Sequence, residues 1–130
     1  MRVLLDTHVA LWMTTEPARL AEGVRTLLRS ADTTALLSAA VAWELAIKWR
    51  LGKLELPAPP RELVPSMTTV FALTPLPINQ LHTVAVAELP EHHRDPFDRL
   101  LVAQAQVEGV PLVTADRRLS RYDIEVIAAA

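Results

Sequence analysis

Apolar positions along this chain follow two rhythms. RVLL, residues 2–5, is a short apolar run that ends at Asp6, and from Thr7 to Met13 the spacing turns helical, so a strand-to-helix turn is predicted at Asp6. In LAEGVRTLLRS, residues 20–30, Leu20, Val24, Leu27 and Leu28 share one helical face; TALLS, residues 34–38, reads as a second strand. Ala39 to Lys53 (AAVAWELAIKWRLGK) is helix-length, apolar on most sides and stopped by Gly52, and it is expected to be largely buried. PAPPRELVP, residues 57–65, reads as a connection holding a turn of helix. TPLPI then suggests a short strand, NQLHTVAVAEL and DPFDRLLVAQAQVEG suggest helices, and PLVTAD (residues 111–116) and DIEVIA suggest the last two strands.

Strands that are apolar throughout and separated by helices predict an α/β fold, a three-layer α/β/α sandwich around a mainly parallel sheet. A single domain spanning residues 1–130, without internal repeats, is expected. Ligands of such folds bind outside the carboxyl ends of the strands.

Composition narrows the chemistry. There is no cysteine, so disulfides, thiolate zinc sites and cysteine nucleophiles are excluded, and a reducing, cytoplasmic setting is expected. Thirteen basic and fifteen acidic side chains give a net charge of -2, which provides no global basic field for nucleic acid. Asp6 and His8 interrupt the opening apolar run, so it reads as mature structure rather than a signal peptide. ALLSAAVAWELAIKW carries Ser38, Glu44 and Lys48 and is shorter than the ~20 residues of a membrane span, so a soluble protein is expected. With three glycines the chain has no phosphate loop, no GxGxxG and no GxSxG elbow.

The acids carry what remains. Asp6 follows VLL and Asp116 follows LVTA, two strand ends, although either could be only a helix cap. Glu44 shares a helical face with Ala40, Ile47 and Leu51, so it must meet a cation, a hydrogen-bond network or a metal; a salt bridge to an arginine is the competing account. In HHRDPFDRLLVAQA, residues 92–105, Asp95 before Pro96 reads as an N-cap. Asp98 sits at the capping-box position but faces the same side as Leu101, Val102 and Ala105, so Asp95 is assigned to architecture and Asp98 to chemistry. His92 and His93 are adjacent and lack any HxxxH partner, which argues against a histidine metal site. Trp12, Trp43 and Trp49 are core or interface residues first and stacking surfaces second.

Asp6, Glu44, Asp98 and Asp116 would repel one another if gathered unpaired, and an oxygen-only set suits Mg²⁺ or Mn²⁺. Such a cation would hold a phosphate and activate a water for attack on a phosphodiester. Arg94, Arg99, Arg117 and Arg118 lie near these acids in sequence and are candidates to attract phosphate locally.

The succession LLDTHV, AAVAWELAIK, HRDPFDRLLVAQA, LVTAD resembles the PIN-domain ribonucleases, in particular the VapC-like toxins of bacterial type II toxin–antitoxin pairs, over nearly the whole chain. The resemblance implies that Asp6, Glu44, Asp98 and Asp116 are the catalytic metal ligands and that Thr114 is a supporting hydroxyl. It also implies Mg²⁺- or Mn²⁺-dependent cleavage of RNA, a homodimer, and an antitoxin partner through which alone DNA is contacted. The tryptophan-bearing helix has apolar surface to spare, which agrees with a dimer and a groove for a partner segment. A receiver-like signalling domain also gathers acids at strand ends, but it pairs two acids after the first strand and places a lysine after the last, where LLDTHV has one acid and LVTADRR has no lysine. A non-catalytic interaction module of the same fold is the other alternative, disfavoured because all four acids are present.

Overall fold

The computed structural model describes all 130 residues. The chain runs β1 (Arg2–Leu5), α1 (Thr7–Thr15), α2 (Glu22–Arg29), β2 (Thr34–Ser38), α3 (Ala39–Arg50), α4 (Pro60–Val70), β3 (Thr74–Leu76), α5 (Gln80–Ala85), α6 (Pro96–Glu108), β4 (Leu112–Thr114) and β5 (Val126–Ala128). The strands form one sheet in the order β3-β2-β1-β4-β5, and every pairing is parallel. Helices flank this sheet as the α/β/α expectation required.

The strand order reverses between β1 and β4, because the chain first builds outward through β2 and β3 and then returns to the other side of β1. That reversal opens a crevice at the carboxyl ends of β1 and β4, the place where doubly wound sheets bind ligands. The order also sets aside the receiver-like alternative, whose strands run 2-1-3-4-5.

The core is built on the central strands: Val3, Leu4, Leu5, Leu112 and Val113 are fully buried, and Leu101, Val102 and Ala103 of α6 pack into the same cluster. Beside it lies a buried polar chain. The Ser38 hydroxyl caps α3 by accepting from Ala40 N at 2.9 Å and donates to Gln104 Oε1 at 2.5 Å. Gln104 Nε2 lies 3.3 Å from both the Pro77 carbonyl and His82 Nδ1, and His82 Nε2 lies 3.0 Å from Glu108. Buried polar groups need such partners, and these tie the end of β2 to α5 and α6.

Two expectations are corrected. The helix from Ala39 is not largely buried: only Ala40, Val41, Glu44 and Leu45 lie inside, while Trp43 and Trp49 are 54% and 42% exposed, because one face suffices to cover the sheet. Gly52 closes the helix as expected: at φ 73° it takes the left-handed position just after the cap residue Leu51, and Lys53 N donates to the Lys48 carbonyl at 2.8 Å. The segment read as a connection with a turn of helix is α4, eleven residues long with Pro60 in its first turn and Pro65 inside it. Pro60 needs no N–H partner there, and burial of Leu63 and Met67 against the core holds the helix through Pro65, which lacks a ladder donor.

Candidate active site

Each candidate acid is delivered by a different joint of the fold. Asp6 ends β1 and caps α1, its Oδ1 accepting from Thr7 N at 2.6 Å. Its Oδ2 accepts from the Thr114 hydroxyl at 2.6 Å, so the last residue of β4 orients the acid that follows β1. The same hydroxyl accepts from Asp116 N at 3.0 Å, and Thr114 thereby fixes two acids at once. Asp6 is 5% exposed, and burial pushes its carboxyl above the usual carboxylate range against the pull of Thr114, Thr7 and His8.

Glu44, 3% exposed on the inner face of α3, accepts from the Thr7 hydroxyl at 2.5 Å and from Lys48 one turn later. The cation required at this carboxylate is therefore a lysine of the same helix rather than an arginine. Burial works to lower Lys48, but its bond to Glu44 and the nearby Asp95 and Asp98 raise it overall.

Asp95 caps α6 as expected, its Oδ1 accepting from Phe97 N at 2.8 Å and Asp98 N at 3.3 Å. Asp98 is left without a lysine or arginine partner. Burial first, and then repulsion from Asp6, Asp95, Glu44 and Asp116, push its carboxyl up to about 8. Asp116 goes the opposite way, down to about 2, chiefly because the Arg118 side chain grips it with Nε at 3.0 Å and Nη2 at 2.8 Å.

His93 stands between these two acids, with Nε2 at 3.2 Å from Asp98 and 3.3 Å from Asp116 and a side chain 7% exposed. Its Nδ1 accepts from Asp95 N at 3.1 Å, so the hydrogen-bond pattern assigns the proton of the neutral ring to Nε2, where it faces both carboxylates. No spacing in the sequence pointed to His93, since the link is made by the turn into α6. Lys48 was legible, four residues after Glu44 on one helical face.

Asp6, Glu44, Asp98 and Asp116 all line one cavity of about 430 Å³. The tightest set is His93, Asp98 and Asp116, whose ligand atoms lie within 4.8 Å of one another; Asp6 and Glu44 border it, their oxygens engaged by Thr7, Thr114 and Lys48. Arg118 lines the cavity, while Arg94 and Arg117 are exposed and outside its lining. The expectation for Arg99 is corrected: its guanidinium donates to the carbonyls of Val86, Leu89, Pro90 and His93 at 2.9–3.4 Å, and so holds the segment before α6 in place. A second cavity of about 440 Å³, beside Met13, Leu28 and Phe71, contains no carboxylate and offers nothing to a cation.

The site is rich in oxygen donors, short of positive charge at Asp98, and set at the sheet's switch point, all of which fit a hard divalent cation.

Comparison with known proteins shows which family and fold the chain is similar to. The family model described as the PIN domain matches residues 3–125. Ribonuclease VapC22 of Mycobacterium tuberculosis (strain ATCC 25618 / H37Rv) is 38% identical over 125 residues, which is 92% of this chain and 91% of that protein. Among solved structures, VapBC2 from Rickettsia felis bound to a DNA fragment from its promoter aligns with a TM-score of 0.71 at 18% identity, covering 100% of both chains. FitAcB from Neisseria gonorrhoeae aligns with a TM-score of 0.67 at 21% identity, covering 96% of each.

Proposed function

Because this chain belongs to the PIN-domain family, we propose that it is a divalent-metal-dependent endoribonuclease and the toxin of a toxin–antitoxin pair. The observation that carries this reading is the convergence of Asp6, Glu44, Asp98 and Asp116 on one cavity, with the ionisation of Asp98 suppressed by burial and then by its acidic neighbours. A structural ion-pair network would have supplied Asp98 with a lysine or arginine, whereas its one basic neighbour is His93. Here the four acids would hold Mg²⁺ or Mn²⁺, which suit carboxylate oxygens.

When bound, such a cation supplies charge stabilisation for displacement at phosphorus and activates water for the attack. The side chains of this protein have distinct duties around it. Thr114 aims Asp6, and Lys48 balances Glu44 so that the inner wall is not purely anionic. His93 spaces Asp98 from Asp116, and Arg118, 63% exposed, offers a cation at the cavity rim to a phosphate.

The partner follows from the relatives. VapBC2 and FitAcB share this fold, and an antitoxin that contacts DNA on the pair's behalf is the corresponding partner here. Trp43, 54% exposed, meets Phe97 edge-on at 5.0 Å between centroids, an apolar contact between α3 and α6 suited to a homodimer. No helix is long and apolar enough to cross a membrane, and a toxin that cuts cellular RNA acts in the cytoplasm, where we place it.

Purified without antitoxin, the chain should cut RNA in Mg²⁺ or Mn²⁺, stop on addition of EDTA, and resume when the cation is restored. Cleavage that persists in excess EDTA contradicts the metal mechanism.

A further inference from the structure

A smaller cavity of about 210 Å³ adjoins the acidic one where α1 meets α3. His8, Glu44 and Lys48 line both, so the two spaces are continuous, and Thr7, Leu11, Lys53 and Leu54 complete the smaller one. Its one carboxylate, Glu44, is already engaged by the Thr7 hydroxyl and by Lys48. Lys53 has no such partner: no ion pair of the protein includes it, and it is exposed. Its backbone is nevertheless fixed. Gly52, at φ 73°, turns the chain back, and the N–H groups of Lys53 and Leu54 both donate to the Lys48 carbonyl, at 2.8 and 3.3 Å. Leu54 anchors the turn by packing against the core. The fold thereby sets a free ammonium beside a cavity whose own negative charge is already balanced.

We propose that this cavity holds the phosphodiester next to the scissile one, with Lys53 as its cation and the His8 ring beside it. The proposal rests on the ribonuclease reading of the acids. A nucleic-acid strand carries a charge at every step, so each phosphate that meets no cation repels the Asp6, Asp98 and Asp116 centre across which the strand is laid. With a net charge of -2 the protein must answer those phosphates one at a time. Arg118 enters after β4, and the Lys53 turn follows α3, which leaves β2; these two strands flank β1 on opposite sides, so the two cations reach the acids from different directions. A lysine just after a helix also answers the negative end of the helix dipole. Lys48 and Arg50 already do so in the last turn of α3, which leaves the Lys53 ammonium for the cavity.

The test uses a synthetic RNA that the wild-type protein cuts at one bond in Mn²⁺. Each phosphate within about three steps of that bond, the scissile one excepted, is replaced in turn by an uncharged methylphosphonate following a 2′-O-methyl nucleotide. With the wild-type protein, one replacement beside the cut should raise KM on the order of tenfold with little change in kcat, the size of one charge-assisted contact. Lys53→Met should raise KM for the unmodified RNA by the same factor and lose its sensitivity to that one replacement while keeping the others. It should also lower the slope of log KM against log salt by about 0.7–0.9, the value of one phosphate contact. Lys53→Arg should restore all three. A lysine that serves only the helix end would lower the melting temperature of Lys53→Met and leave KM unchanged, and that result overturns the subsite while the ribonuclease reading stands. A Lys53→Met protein that responds to every replacement as the wild type does overturns it equally. A wild-type protein that cuts no RNA overturns both.

Discussion

Asp95 and Asp98 share the first turn of one helix and have opposite duties. Asp95 accepts from two backbone N–H groups, so its removal costs capping energy: Asp95→Ala should lower stability by ~1 kcal/mol while much of the metal-dependent cleavage survives. Asp98 opposes folding when it is ionised. Its carboxyl is raised from 3.8 to about 8 by burial and four neighbouring acids, so the folded metal-free protein keeps a proton that the unfolded chain has already released. The stability this contributes is complete below about pH 4, falls as pH rises, and is lost once pH passes about 8. Denaturation in EDTA across that range should show a decline of a few kcal/mol, and Asp98→Asn should reduce it while abolishing cleavage, leaving the same-signed slope of the likewise raised Asp6. A slope undiminished in Asp98→Asn would move the coupling to another group. Asp116 has the reverse sign: held down to about 2 by Arg118, its contribution is present above about pH 4 and is lost as pH falls through about 2.

Among the elements, α3 shows both the reach and the limit of pattern. Its extent and its buried Glu44 were readable from helical spacing, because a carboxylate on an apolar stripe breaks the rule that the stripe obeys. The partner was readable in principle, four residues on, but the spacing does not distinguish a pair made along one helix from one made across the fold. Lys48→Ala would leave Glu44 buried without a cation and should cost about 2 kcal/mol, below the full cost of a broken buried pair because Lys48 is itself 29% exposed. A loss no larger than that of a surface ion pair would mean that Thr7 alone satisfies Glu44. That this helix carries more apolar surface than the core needs was legible, but not that Trp43 and Trp49 are the residues left exposed, since composition shows how apolar a helix is and not which of its faces the sheet covers. The length of α4 was hidden for a related reason: two prolines argue locally against helix, and the burial of Leu63 and Met67 that overrides them is a tertiary fact.

For the whole molecule, the four acids were each visible as anomalies along the chain, but their meeting depends on strand order. Asp6 and Asp116 converge because β4 returns beside β1, and Glu44 and Asp98 arrive on helices packed over that junction. His93 and Arg118 enter the same cavity from the segment before α6 and the turn after β4, whose direction no periodicity encodes. The result is a slightly acidic protein that concentrates its negative charge at one point and leaves one carboxyl there protonated near neutrality. A divalent cation entering this site must displace that proton. Calorimetric titration of the metal-free protein with Mn²⁺ at about pH 7, in two buffers of different ionisation enthalpy, counts the protons released. The wild-type protein should bind Mn²⁺ with release of about one proton, and Asp98→Asn should bind more weakly and release none. Failure of the wild-type protein to bind Mn²⁺, or equal proton release from both proteins, would contradict the assignment of these acids to a metal site.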